Sequence, residues 1–315
     1  MSLSKLALAT FATLMGAATA APAQQSPMPA EVAARLLELG RVVDPPKTAL
    51  LYGPLQEKEP YPGVKIERDV KYGAADRNLL DVFTPATDSS VRPVLIFVHG
   101  GAFVGGNKRG PGSPFYDNIM LWAVKNGFVG VNMTYRLAPQ SPWPAAAEDV
   151  SAAVGWVTAN VAARGGDPSR IYLMGHSAGA AHVATYVSHP EFWRSKDNGL
   201  AGAILASGPY DLTGMSPNAG PSAYYGTDPA LYTERSSVNG LLKTKTPLMV
   251  IAAELDPPLF VEQLNLLKDS LCKSEHGCVR SLLLPQHSHM SEVYSINTAD
   301  TRLTDEILDF VKTGK

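Results

Sequence analysis

The stretch RIYLMGHSAGAAHVA, residues 170–184, decides how the rest of the chain is read. Ile171 to Met174 form a short apolar run of the kind a buried parallel strand shows, and the small residues after Ser177 suit a closely packed helix. Between them stands Gly-His-Ser-Ala-Gly. A bare G-x-S-x-G is a weak pattern; its place at a strand-to-helix turn gives it weight. A serine at the tip of such a turn has strained backbone angles. Side chains two positions away on either side would collide, so Gly175 and Gly179 are the residues the turn requires. Ser177 then presents its hydroxyl at a helix N-terminus, where the dipole favours developing negative charge. The pattern predicts a nucleophile at Ser177 with the N–H of Ala178 beside it.

Working outward, strand-like runs at Val64–Tyr72, Asn78–Thr84, Val94–Gly100, Gly127–Tyr135, Ala201–Ser207, Pro247–Ala253 and Arg280–Pro285 join the one at Arg170–Gly175. Helical spacing separates several of them: around 115–126, at Val150, Val154, Val157 and Val161, at Phe260, Leu264, Leu267 and Leu271, and at Leu303, Ile307, Phe310 and Val311. Strands alternating with helices predict an α/β domain, a mostly parallel sheet of about eight strands covered by helices on both faces. At 315 residues the chain fits one such domain and is too short for two. Residues 213–245 lack periodicity and read as a small cap or insertion above the sheet. Residues 24–63, rich in Pro and holding the amphipathic stretch EVAARLLELGRVV, read as a covering segment before a catalytic domain at 64–315.

A charged fraction of 18% and a formal net charge of −2, with no run of Lys and Arg, point to no nucleic-acid or other polyanionic partner. Residues 1–23 carry Lys5, an apolar run to about Ala20 and small-residue cleavage patterns ending at Ala20 or Ala23, which reads as a signal peptide. The run is shorter than a membrane span needs, so no membrane span is expected. Cys272 and Cys278, the only cysteines, can close a small loop by a disulfide in an oxidising compartment. That agrees with export to the periplasm or beyond.

FVHGGAFVGG follows a buried strand where backbone N–H groups would hold a developing oxyanion. Gly100, Gly101 and Ala102 are candidate donors from this loop, completed by Ala178. His99 reads as a residue that holds the loop. A serine needs a base, and the base needs an acid to fix its tautomer, both later in the chain for this order of elements. Asp256, in the loop after PLMVIAA, is the candidate acid, with Glu254 as the alternative. His287 and His289 are both candidate bases. The H-x-H pair is also a conceivable zinc half-site, but no third ligand stands at a fitting spacing, and no metal or cofactor is expected. His176 and His182 are poorly placed to reach the Ser177 hydroxyl. Trp122, Trp143, Tyr210, Tyr224 and Tyr225 suit either pocket walls or ordinary packing.

Together HGGAF, YRLAPQSPWPAAAEDVSAAVGWV, GGDPSRIYLMGHSAGAAH, AELDPP and HSHMS resemble the hormone-sensitive-lipase-like carboxylesterases and the kynurenine formamidase (arylformamidase) branch of the α/β hydrolases, over about Val64 to Val311. The resemblance implies the α/β-hydrolase fold and an acyl-enzyme route in which Ser177 attacks, His289 relays the proton and Asp256 orients it. It favours His289 over His287 because the final His of that branch precedes an apolar and then a small polar residue, as His289 precedes Met290 and Ser291. Lipase-like members usually carry Asp before the Ser and an H-G-G-G loop. Here stand His176 and Ala102, and GHSAGA is nearer the formamidase branch. A signal peptide, however, suits a tryptophan-catabolic formamidase badly. An exported esterase acting on a small-molecule ester therefore ranks first and an amide hydrolase second. A binding module without chemistry would be expected to have lost a triad member, and candidates for all three are present.

Overall fold

A computed structural model describes residues 28–87, 90–215 and 219–314; the signal peptide expected at 1–23 lies outside them. Eight strands form one sheet: β1 (Val64–Lys71), β2 (Leu79–Pro85), β3 (Arg92–Val98), β4 (Val129–Met133), β5 (Gly166–His176), β6 (Gly202–Ala206), β7 (Leu248–Leu255) and β8 (Arg280–Ser288). Their order is β1-β2-β4-β3-β5-β6-β7-β8. β2 runs antiparallel to both β1 and β4, and every other neighbour is parallel. All eight expected runs are strands, with ends displaced by a few residues.

Alternation along β3 shows why both faces need cover. Val94, Ile96 and Val98 belong to one core and Leu95 and Phe97 to the other. The helices are α1 (Ala30–Leu39), α2 (Pro45–Tyr52), α3 (Asp117–Lys125), α4 (Ala145–Asn160), α5 (Ala178–Ser188), α6 (Ala219–Tyr225), α7 (Tyr232–Arg235), α8 (Val238–Leu241), α9 (Pro258–Cys272), α10 (Ser291–Tyr294) and α11 (Arg302–Thr313). α4, α5 and α9 complete the first core; α1, α3 and α11 complete the second. This is the α/β-hydrolase arrangement the resemblance implied.

The amphipathic stretch before β1 does not make one helix. Gly40 takes φ 73° and ends α1, and Asp44 starts α2 by accepting the Lys47 N–H at 3.0 Å. α1 buries Val32 and Leu36 beside β8. Gln56 then donates to the Tyr294 and Ile296 carbonyls at 2.8 and 3.0 Å, tying the segment to the turn after β8. Residues 213–245 hold α6 to α8. There Phe103 stacks on Tyr224 with centroids 5.2 Å apart, so this segment packs directly on the loop after β3. At the end of α9, Cys272 and Cys278 are joined, with sulfurs 2.14 Å apart. Among the described residues no helix is long and apolar enough to cross a membrane.

Candidate active site

Ser177 stands between β5 and α5 with φ 57° and ψ −123°, a conformation that persists only where the surroundings impose it. Its N–H donates to the Ala206 carbonyl at 2.8 Å, which pins the turn to the end of β6. The flanking glycines make the turn possible. A Cβ on Gly175 would lie 2.4 Å from the Gly179 carbonyl oxygen, and one on Gly179 would lie 2.1 Å from that of Val98. Both distances are far inside van der Waals contact.

Two loops at the same edge of the sheet bring in Asp256 and His289, both fully buried. Asp256 Oδ1 accepts from His289 Nδ1 at 2.7 Å. Its Oδ2 accepts from the Ser207 hydroxyl at 2.6 Å and the Ala253 N–H at 2.7 Å. With Nδ1 donating to a carboxylate, Nε2 is left as the basic nitrogen, and it has no partner among the described residues. His289 and Ser177 line one cavity. No hydrogen bond joins Ser177 Oγ to His289 Nε2; such contacts commonly close only once substrate is seated.

The alternatives fall elsewhere. His287 faces Ser291 Oγ through Nδ1 and Asp300 Oδ2 through Nε2, each at 3.0 Å. Because His287 and His289 turn to different carboxylates, the structure does not join them as a ligand pair. Glu254 is exposed and accepts the Gln286 N–H at 2.7 Å, away from both imidazoles.

The loop after β3 closes the other side. Gly101 takes φ 139°, and a Cβ there would lie 2.1 Å from the Gly105 carbonyl oxygen. Its own carbonyl accepts the Val104 and Gly105 N–H groups, folding the loop back on itself. Gly100 backs onto the nucleophile: a Cβ on it would lie 3.0 Å from the Ser177 Cβ. Among the described residues, no backbone carbonyl outside the regular helices and strands accepts from the N–H groups of Gly100, Gly101 or Ala102. Ala178, first in α5, has none one turn earlier to serve. His99 holds this loop, stacking on Tyr135 at 4.4 Å and placing Nδ1 2.6 Å from the Gly100 carbonyl. Burial pushes its imidazole down to about 3, so it is neutral and its Nδ1–H is the donor.

The cavity measures about 740 Å³, and its walls include Phe115, Tyr116, Phe260, Met290 and Tyr294, with Val43 and Pro45 from the segment before β1. Arg109 is its one permanently charged lining residue among those described.

Residues 80–271 match the profile of the BD-FAE family. The chain belongs to that family. This BD-FAE member is 30% identical over 265 residues to esterase LipQ of Mycobacterium tuberculosis, covering 77% of this chain and 61% of that protein. It is 33% identical over 175 residues to the probable carboxylic ester hydrolase LipM of the same organism, covering 53% and 40%. The chain thus spans less than two thirds of either relative. Esterase B of Lactobacillus rhamnosis superposes with a TM-score of 0.68 at 19% identity, over 90% of this chain and 96% of that one, a likeness of fold.

Three features of this BD-FAE site escaped sequence reasoning. Trp122, Trp143, Tyr210, Tyr224 and Tyr225 do not line the cavity; their ring size is equally at home in packing, and the aromatic walls are Phe103, Phe115, Tyr116, Phe260 and Tyr294. Ser207, at φ 48° after β6, carries no motif. His176 and Glu292 lie against the triad side by side, with His176 Nε2 3.1 Å from Glu292 Oε1. Only their closeness in sequence to Ser177 and His289 hinted at this. His182 proves a packing residue, enclosed by Phe103, Tyr135 and Tyr224.

Proposed function

We propose that this chain hydrolyses carboxylic esters of small or medium acyl and alcohol groups through an acyl-enzyme on Ser177. The observation that carries the reading is the hydrogen-bonded Asp256–His289 pair, whose Nε2 has no partner among the described residues, with His289 lining the cavity that Ser177 shares. His289 Nε2 takes the Ser177 hydroxyl proton as Oγ bonds to the ester carbonyl carbon. The carbonyl oxygen becomes an oxyanion held by the N–H of Ala178 and by N–H groups of the Gly100–Gly101–Ala102 loop, each such donor being worth about 3 kcal/mol in similar sites. The imidazolium, oriented by Asp256, returns the proton to the departing alkoxide. Water, activated by the same nitrogen, then releases the acid. The largely apolar cavity favours uncharged ester groups, and the esterase names of the relatives favour esters over amides.

We further propose that the protein works outside the cytoplasm, as the leader at 1–23 and the Cys272–Cys278 disulfide support. A mature N-terminus at residue 21 or 24 in the periplasmic or culture fraction is the expected result. An uncut chain found only in the cytosol would contradict it.

The test is turnover of p-nitrophenyl esters with acyl chains from about two to twelve carbons, alongside N-formylkynurenine, by the wild type and Ser177→Ala. Ester turnover abolished by the substitution is expected. Turnover of the formamide alone would replace the reading with that of an amide hydrolase.

A further inference from the structure

Glu292 is fully buried, and neither of its oxygens has a hydrogen-bond partner among the described residues. Around it stand His176 at the end of β5, Asp256 after β7, Ser207 and Tyr210 after β6, and His289 from its own turn. Among the described residues no Lys or Arg pairs with it. The near imidazole is already engaged, because His176 Nε2 donates to the His289 carbonyl at 2.8 Å. An unpaired carboxylate beside the Asp256 carboxylate would be very costly to bury, whereas a carboxylic acid would not. A leucine would fill the same space at no electrostatic cost.

We propose that Glu292 is a positioning residue that works as an uncharged acid, closing a ring of hydrogen bonds behind the Asp256–His289 pair. In the proposed ring its hydroxyl turns to Ser207 Oγ, which can accept because its own hydrogen goes to Asp256 Oδ2 at 2.6 Å. Its carbonyl oxygen faces His176 Nε2 at 3.1 Å, and that same N–H fixes the backbone of His289. The residue before the nucleophile, the acid and the base are thereby held in one network. The electrostatics agree: burial first and the Asp256 charge second push the Glu292 carboxyl well above the usual range, while burial pushes His176 down to about 4, so no ion pair forms between them.

This inference rests on the proposed ester hydrolysis, and its test separates the two. The pH profile of kcat/KM is measured on one p-nitrophenyl ester for the wild type, Glu292→Gln and Glu292→Leu, with melting temperatures recorded. Inactive wild type would refute the functional reading itself. With active wild type, the Gln variant should keep kcat within about threefold and leave the acidic limb in place, because an uncharged donor replaces an uncharged donor. The Leu variant should lose about 10–100-fold in kcat with KM little changed, since the base is no longer held in register. A fall of the acidic limb by about one pH unit in the Gln variant would show that Glu292 is an anion supporting the His289 charge. That would overturn the proposal, as would wild-type kcat in the Leu variant. Should the Leu variant fail to fold, the Gln profile alone decides between acid and anion.

Discussion

Single residues at this site are set by who already holds their polar atoms. His289 is proposed as the base because Asp256 takes Nδ1 and, among the described residues, nothing takes Nε2; His287, two residues away, has both nitrogens engaged with Ser291 and Asp300. Asp256→Asn should therefore lower kcat by about 10³–10⁴-fold by presenting the wrong tautomer of His289. His287→Gln should leave kcat within about threefold and lower the melting temperature instead, because it removes a partner of a buried carboxylate. The reverse pattern would exchange the two assignments. Sequence spacing alone left this pair open, since it shows which residues follow the last strand but not which way a turn points each ring. The strained turn at Ser177 was legible because it needs glycine on both sides, a demand that sequence records directly. Glu292 and Ser207 were not, because a buried carboxyl and a hydroxyl carry no pattern until their neighbours are known.

At the scale of elements, the strained turns do the positioning. Gly179 lies so close to the Val98 carbonyl that Gly179→Ala must push α5 away from β3. We expect a loss of about 2–4 kcal/mol of stability, read as a lower denaturant midpoint, and near-complete loss of ester turnover. The rim of the cavity has its own brace. Lys108, almost wholly buried next to Arg109, bonds Asp69 at 2.5 Å and Asp81 at 2.7 Å, and Arg68 joins Asp81 to Asp117. Breaking it with Asp81→Asn should cost about 1–3 kcal/mol, because buried Lys108 and half-buried Arg68 each lose one carboxylate while keeping another. All eight strands were readable: the inner ones because strands buried on both faces are near-continuous apolar runs, and the edge strand β1 by its alternation of apolar and charged residues. The short helices at 213–245 were not, because they draw stability from packing on neighbours such as the loop after β3 rather than from their own periodicity; before β1 only the stretch holding α1 carried a pattern.

Across the whole molecule, buried neutral histidines set the response to acid. Burial pushes His99 and His182 down to about 3 and His176 to about 4, from an ordinary 6.5. The unfolded chain thus binds more protons than the folded one between those values. Stability contributed by their neutrality is whole above pH 6.5 and is lost as pH falls toward 4. Glu292 acts in the opposite sense: its raised pKa makes the folded chain hold an extra proton, so its contribution falls as pH rises above the ordinary carboxylate range. The melting temperature should therefore drop steeply from pH 6.5 to 4. Glu292→Gln should gain on the wild type as pH rises from about 5 to 8. A wild-type melting temperature flat across the acid range would contradict the buried-neutral assignment.

The central claim is that the assembled fold makes one serine, Ser177, nucleophilic. The most direct measurement is intact-protein and peptide mass spectrometry after treatment with a p-nitrophenyl alkylphosphonate. A single adduct is expected on the peptide carrying Ser177, formed in step with loss of ester turnover and absent in Ser177→Ala. An adduct on another residue, or full inactivation with Ser177 unmodified, would contradict it.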